Sequence, residues 1–160
     1  MEQKEQKESA PLKKDEYLCI GIDLGTSSSA IAASNGKKNW VESYVGWPKD
    51  FIAEKVIGKP VLFGAEALEH RLSLDLFRPL DHGVVKDTTE REVESVKEMF
   101  RHLIELANPK KDQEVLAVVG VPAEALKVNK KAIIKSISDF VQSTMVVSEP
   151  FAVAYGMNLL

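Results

Sequence analysis

The sequence holds a single cysteine, Cys19, among 160 residues. One thiol cannot close an internal disulfide, and such usage fits a reducing cytosol. Cys19 stands inside an apolar run and reads as a buried residue. No stretch approaches the roughly 18 apolar residues that span a bilayer. The first sixteen residues, MEQKEQKESAPLKKDE, lack the apolar segment of a secretory signal. Residues 1–16 read as a disordered polar tail, with a tail that contacts a partner as the alternative. An excess of basic charge is missing too. With 21 Lys and Arg against 24 Asp and Glu, the net charge is −3, which gives no reason to expect nucleic acid as a partner or a basic membrane face. His70, His82 and His102 have no partners at metal-ligand spacing and read as surface or packing residues. Lys55 and Lys59 are within reach of a phosphate in principle, but solvent is the usual place of lysine. There is no internal repeat.

What is present is enough apolar material for a sizeable core. Hydrophobic residues make up 44% and charged residues 28%, which fits one compact domain or two tightly joined subdomains. Residues 17–45 read as a three-stranded antiparallel meander: a strand ending at Asp23, a second over 29–34, and NWVESYV as the third. Asn35-Gly36 is expected to form a two-residue hairpin turn. Residues 46–88 carry turn signals at short intervals (GWPKD, IGKP, RPLDHG). VLFG and AEALEHRLS suggest a short strand and a short helix there, so the segment is expected to be a smaller inserted subdomain.

From Thr89 the period becomes helical. Thr89 and Glu92 have capping-box spacing, and Val93, Val96, Phe100, Leu103 and Ala107 form an apolar stripe that is expected to cover a sheet, with a coiled-coil seam as the alternative that about two heptads of length disfavour. Asn108-Pro109 ends it. EVLAVVGVP has the continuous apolar character of a strand buried on both faces. A helix is expected from Glu124 to Val141, then a strand at TMVVSEP and a final apolar helix over PFAVAYGMNLL. This alternation is α/β order, with the two strands parallel.

One motif carries chemistry. Between Asp23 and Ser29 the chain reads D-L-G-T-S-S-S. Gly25 can adopt backbone conformations that other residues resist, so that following N–H groups converge into an anion nest. Thr26, Ser27, Ser28 and Ser29 add hydroxyls. Asp23 can face the same spot, which makes sense if Mg²⁺ or its water shell lies between acid and phosphate. The competing reading is that Asp23 caps a turn of ordinary turn residues. The motif is neither a Walker loop, lacking G-K-S/T, nor a G-x-G-x-x-G fingerprint.

GIDLGTSSSA resembles the first phosphate motif of the actin-like ATPase superfamily, which includes actin, the heat-shock chaperone ATPases and the sugar kinases. AVVGVPAEA and VVSEPFAVAYG resemble the chaperone-type V-P-A and E-P-x-x-x-x-Y-G patterns of the same superfamily. GWPKD, KVIGKPVLFGAEALE and LDLFRPLDHGVV are similar to segments of the magnetosome-associated bacterial actins. The resemblance implies that residues 17–160 form the N-terminal lobe of an actin-like (ribonuclease H-like) fold, in which the meander is extended by parallel strands with helices. It implies ATP and Mg²⁺ as cofactors, with Asp23 organising Mg²⁺ through water and Gly25 to Ser29 gripping phosphates. It further implies cytoplasmic, cytoskeletal filaments that self-assemble with ATP and position magnetosomes. For Glu149 it implies a role in positioning the attacking water. The residues themselves offer a rival, since an acid in a helix's first turn offsets the dipole.

The superfamily's second phosphate hairpin, its adenosine motif and its second lobe have no counterpart in these 160 residues. Two readings follow. The chain is the N-terminal half of a filament-forming ATPase, with hydrolysis expected of the full-length protein and not of this half. Alternatively, the half-lobe is a non-enzymatic module that binds or caps a full-length actin-like partner. A chaperone-type ATPase fragment is a further option.

Overall fold

The structure, a computed structural model, describes residues 16–160. The expected tail lies, apart from Glu16, outside the described residues. Strands β1 (Tyr17–Leu24), β2 (Ser28–Ala33) and β3 (Lys38–Glu42) form the antiparallel meander. β9 (Glu114–Val121) and β10 (Ser143–Ser148) extend it in parallel, giving a five-stranded sheet of order β10-β9-β1-β2-β3. The parallel α/β half and the meander are thus fused through β1.

The turn between β2 and β3 departs from the expected one. The Gly36 N–H donates to the Ala33 carbonyl at 2.9 Å, and Gly36 takes φ +86°. Ser34, Asn35 and Gly36 therefore form a three-residue loop, a turn closed by a left-handed glycine, and not a two-residue turn. Asn35 is committed elsewhere, because its Nδ2 donates to the Ala107 carbonyl at 2.8 Å. The third strand also ends early. Ser43 is buried and its N–H donates to Ser27, so the chain turns before Val45 and enters a second sheet.

That second sheet, of order β5-β4-β6, is built from β4 (Val45–Pro48), β5 (Leu62–Phe63) and β6 (Leu74–Phe77). Its small core is Leu62, Ala67 and Leu74. Helix α1 (Phe51–Ile57) was not anticipated; Asp50 caps it by accepting from Ala53 N–H at 2.8 Å, and Gly58 closes it. Helix α2 (Gly64–Glu69) and a 3-10 turn at Arg71–Ser73 occupy AEALEHRLS. A small hairpin, β7 (Leu80–Asp81) and β8 (Val84–Val85), leads into the long helix.

Helix α3 (Glu90–Ala107) begins at the Thr89–Glu92 capping box and ends at Asn108, which is left-handed. Val96, Met99, Phe100, Leu103 and Ala107 are buried along one side, and they meet Leu18, Ile20, Ile22 and Ile31 of the sheet in one core. Helix α4 (Lys127–Ile137) covers the same face. It starts three residues later than expected, because Pro122 to Leu126 form a turn closed by Ala125 N–H on the Pro122 carbonyl. Phe140 and Val141 still pack on the core, but outside the helix. Helix α5 (Glu149–Gly156) is shorter than the expected final helix.

Only one face of the large sheet is covered among the described residues. β1 alternates strictly, with Leu18, Ile20, Ile22 and Leu24 buried and Cys19, Gly21 and Asp23 exposed. β9 behaves likewise, since Val118 is exposed while Val115, Ala117, Val119 and Val121 are buried. The expectations of a buried Cys19 and of a strand buried on both faces are thus corrected. A continuous apolar run states what a strand tolerates, not whether a layer lies over it. Register places Lys38 and Trp40, Ala30 and Ala32, Val118, and Met145 and Val147 on the same open face.

Candidate functional site

The parallel strands β1, β9 and β10 all end at one edge of the open face. Asp23 pairs with Gly120, and Gly120 with Val147, so the acid at the end of β1 lies two strands from the start of α5. Neighbouring strands are ~4.8 Å apart. Glu149 is the first residue of α5. Both carboxylates line one open groove of ≈ 730 Å³, together with Ala30, Trp40, Gly120 and Val153. A Cβ at Gly120 would lie 3.5 Å from Glu149 Cγ and 3.7 Å from the Ile22 carbonyl oxygen. A Cβ there meets the Glu149 side chain in ordinary van der Waals contact, so a larger side chain would take up space beside that carboxylate. Gly120 is thus a site residue that sequence reasoning did not single out; its only signal was its place inside AVVGVPAEA.

The turn after Asp23 is held from inside. Ser43 Oγ donates to the Gly25 carbonyl at 2.6 Å and lies 2.8 Å from Ser29 Oγ. Ser43 has one hydroxyl proton, already given to Gly25, so Ser29 donates to Ser43. Ser29 is 1% exposed. Its hydroxyl therefore braces the hairpin from within, whereas Ser27 and Ser28 are exposed. Thr26 Oγ1 accepts from the Gly83 N–H at 3.1 Å, which leaves the Thr26 hydroxyl proton free to point elsewhere. Ser43 was invisible to local reasoning, because it lies 18 residues from the carbonyl it fixes.

Gly25 is needed for a reason other than the anticipated one. It is not among the residues with positive φ. A Cβ at this position would instead overlap the carbonyl oxygen of Ser28. The requirement is close approach of backbone to backbone across the hairpin.

Glu149 has its pKa raised above the ordinary 4.5, first by partial burial and then by the charge of Asp23. Two carboxylates sharing a groove repel, and an arriving cation relieves them. The groove offers a cation two carboxylates, and no group of three or more His, Cys, Asp or Glu side chains converges among the described residues. A magnesium ion that keeps its waters and takes most of its charge partners from a phosphate suits two acids better.

The histidines lie apart. His70 and His82 are exposed, and His82 Nδ1 is 2.8 Å from Asp81. His102 is half-buried and stacks on Phe63 with ring centroids 4.1 Å apart. Lys59 pairs with Glu66 at 2.7 Å, and Lys55 lies over the Phe51 ring, both away from the groove.

Comparison with known proteins gives this geometry its setting. The family described as MreB/Mbl protein matches residues 18–160. The actin-like protein MamK of Paramagnetospirillum magneticum is 43% identical over 143 residues, which is 89% of this chain and 41% of that protein. The structure of the MamK double helical filament superposes with a TM-score of 0.85 at 42% identity, over 89% of this chain and 44% of that one. A non-polymerising MamK mutant bound to AMPPNP gives 0.82 at 41% identity, over 90% of this chain and 44% of that one. The chain thus spans less than half the length of the relatives it matches. The family match runs from the second residue of β1 to the end of the sequence, with the hairpin and both carboxylates inside it, and the chain belongs to the MreB/Mbl family of actin-like proteins.

Proposed function

We propose that this chain is the N-terminal, phosphate-gripping lobe of an ATP-binding bacterial actin whose filaments position magnetosomes in the cytoplasm. The observation that carries the reading is the hairpin at Gly25, with Asp23 and Glu149 brought to one groove around Gly120. Backbone N–H groups after Gly25 and the hydroxyls of Thr26, Ser27 and Ser28 would hold phosphate oxygens. Asp23 would order the water shell of Mg²⁺, and the ion would neutralise phosphate charge. Glu149, which lines the same groove, would orient a water there. The filament and AMPPNP structures of MamK support the assembly and the nucleotide.

One lobe supplies only part of the contacts to a nucleotide held between two, and each ~1.4 kcal/mol lost is tenfold in affinity. The half alone should therefore bind weakly and not turn ATP over. An amide NMR titration with Mg-AMPPNP tests the site. Shifts at Gly25 to Ser28 and at Gly120, weakened by Asp23→Asn, are expected. Unmoved resonances there at saturating nucleotide would sink the reading.

The open sheet face, with Trp40 66% and Met145 62% exposed, favours a second reading in which the half-lobe caps a full-length actin-like partner. Pelleting a full-length actin-like partner with ATP separates the two, because only the capping reading predicts that adding this chain changes the pelleted fraction. Robust ATP-dependent filaments of this chain alone would contradict both.

A further inference from the structure

Helix α4 carries four lysines, Lys127, Lys130, Lys131 and Lys135, and no acid. The neighbouring helix treats charge differently. On α3, Arg91 pairs with Glu94, Lys97 with Asp139, and Arg101 with Glu98 and Glu105. No α4 lysine has a carboxylate partner among the described residues, and the nearby Asp139 is already held by Lys97. In a chain of net charge −3 this helix is a local reversal of sign.

The lysines are also arranged. α4 buries Ile133, Ser136 and Ile137. The opposite side exposes Lys127, Lys131 and Lys135 at four-residue steps, flanked by exposed Val128 and Ile134. At 1.5 Å rise per residue, successive ammonium stems are ~6 Å apart along the axis. Alternate side chains of an extended strand repeat every ~6.6 Å, so carboxylates at every second residue match this row. Contiguous acids would point alternately toward and away from it.

We infer that the outer face of α4 is a docking surface for an extended acidic polypeptide segment, one carrying carboxylates at alternate residues. The surface is independent of the nucleotide groove, which lies on the other face of the sheet. A bilayer fits less well. The apolar side of α4 is already spent on the core, and its outer face has no aromatic anchor, so only the lysines and a few aliphatic groups would meet lipid.

The test is titration of the 160-residue chain with a short synthetic peptide alternating Glu and Thr. The controls are the same composition with its Glu contiguous, and vesicles of phosphatidylglycerol in phosphatidylcholine. The alternating peptide should bind. Replacing Lys127, Lys131 and Lys135 together with Gln should weaken it at least ~tenfold, consistent with a few-fold for each exposed pair. Lys131→Glu alone, which removes no buried atom, should also weaken it, so that the test survives a misfolded triple variant. Lys110→Gln with Lys111→Gln should leave binding unchanged. Equal binding of the contiguous peptide, an equal loss on changing Lys110 and Lys111, or capture by vesicles without peptide binding would each overturn the proposal.

Discussion

A carboxylate near the end of an apolar strand, as Asp23 is in β1, costs energy unless water or a partner meets it. The structure answers with solvent. Asp23 is on the open face, where no desolvation cost arises, and its neighbour across the groove is another acid. That acid gives a pH signature. Because the pKa of Glu149 is raised in the fold, the protonated form is favoured there. Its contribution to stability is present below 4.5 and is lost as pH rises through the raised value. Urea unfolding between about pH 4 and 7 should show Glu149→Gln gaining on the wild type as pH rises, and Asp23→Asn should shrink the difference. A second residue-scale prediction concerns Gly25. Gly25→Ala must push the hairpin strands apart at Ser28, at a cost of about 1–3 kcal/mol in denaturant unfolding, as in other overpacked sites. Asp23, Gly25 and Glu149 were legible because each stands at a break in pattern. Ser43 and Gly120 were not, because their meaning depends on chain segments far away in sequence. The inward commitment of Ser29 has the same origin: four hydroxyls in a row give no sign of which one finds Ser43.

Among elements, α3 was the most readable and is also the easiest to perturb. Its capping box satisfies both the Glu92 N–H and the Thr89 N–H. Thr89→Ala removes one half of that exchange and should cost about 1 kcal/mol, read as a lower melting temperature. Its other end is tied to the meander, since Asn35 and Asn39 donate to the Ala107 and Leu106 carbonyls at 2.8 and 3.0 Å. These two side chains satisfy carbonyls that a helix end leaves without partners. Helix α1 escaped notice for a physical reason. Its seven residues are too short for a periodic stripe, and it exposes Phe51, Ile52 and Val56. Only its caps, Asp50 and Gly58, were there to be read. β4 was hidden because Trp47-Pro48 looks like a turn, and because what makes it a strand is pairing with Leu62 and Leu74, neither of them local.

At the scale of the whole molecule, the sheet has a single covered face, and α3 supplies most of the cover. Phe100 is fully buried at the centre of that layer. Phe100→Ala should destabilise by about 3–5 kcal/mol, a large share of the stability of a domain this size, and leave much of the chain unfolded near physiological temperature. The α/β order and the parallel pairing of β9 with β10 followed from alternation of periods. The open face did not, since nothing in an apolar run records what is laid upon it.

The exposure of Cys19 gives that face a built-in chemical probe. It is the chain's one thiol, and it stands on β1, the middle strand of five. A thiol-reactive dye will therefore label a single point on the middle strand of the uncovered face, with no engineering of the sequence. Its labelling rate becomes a clock for occupancy: fast when the face meets water, slow whenever another polypeptide closes over it, whichever polypeptide that is.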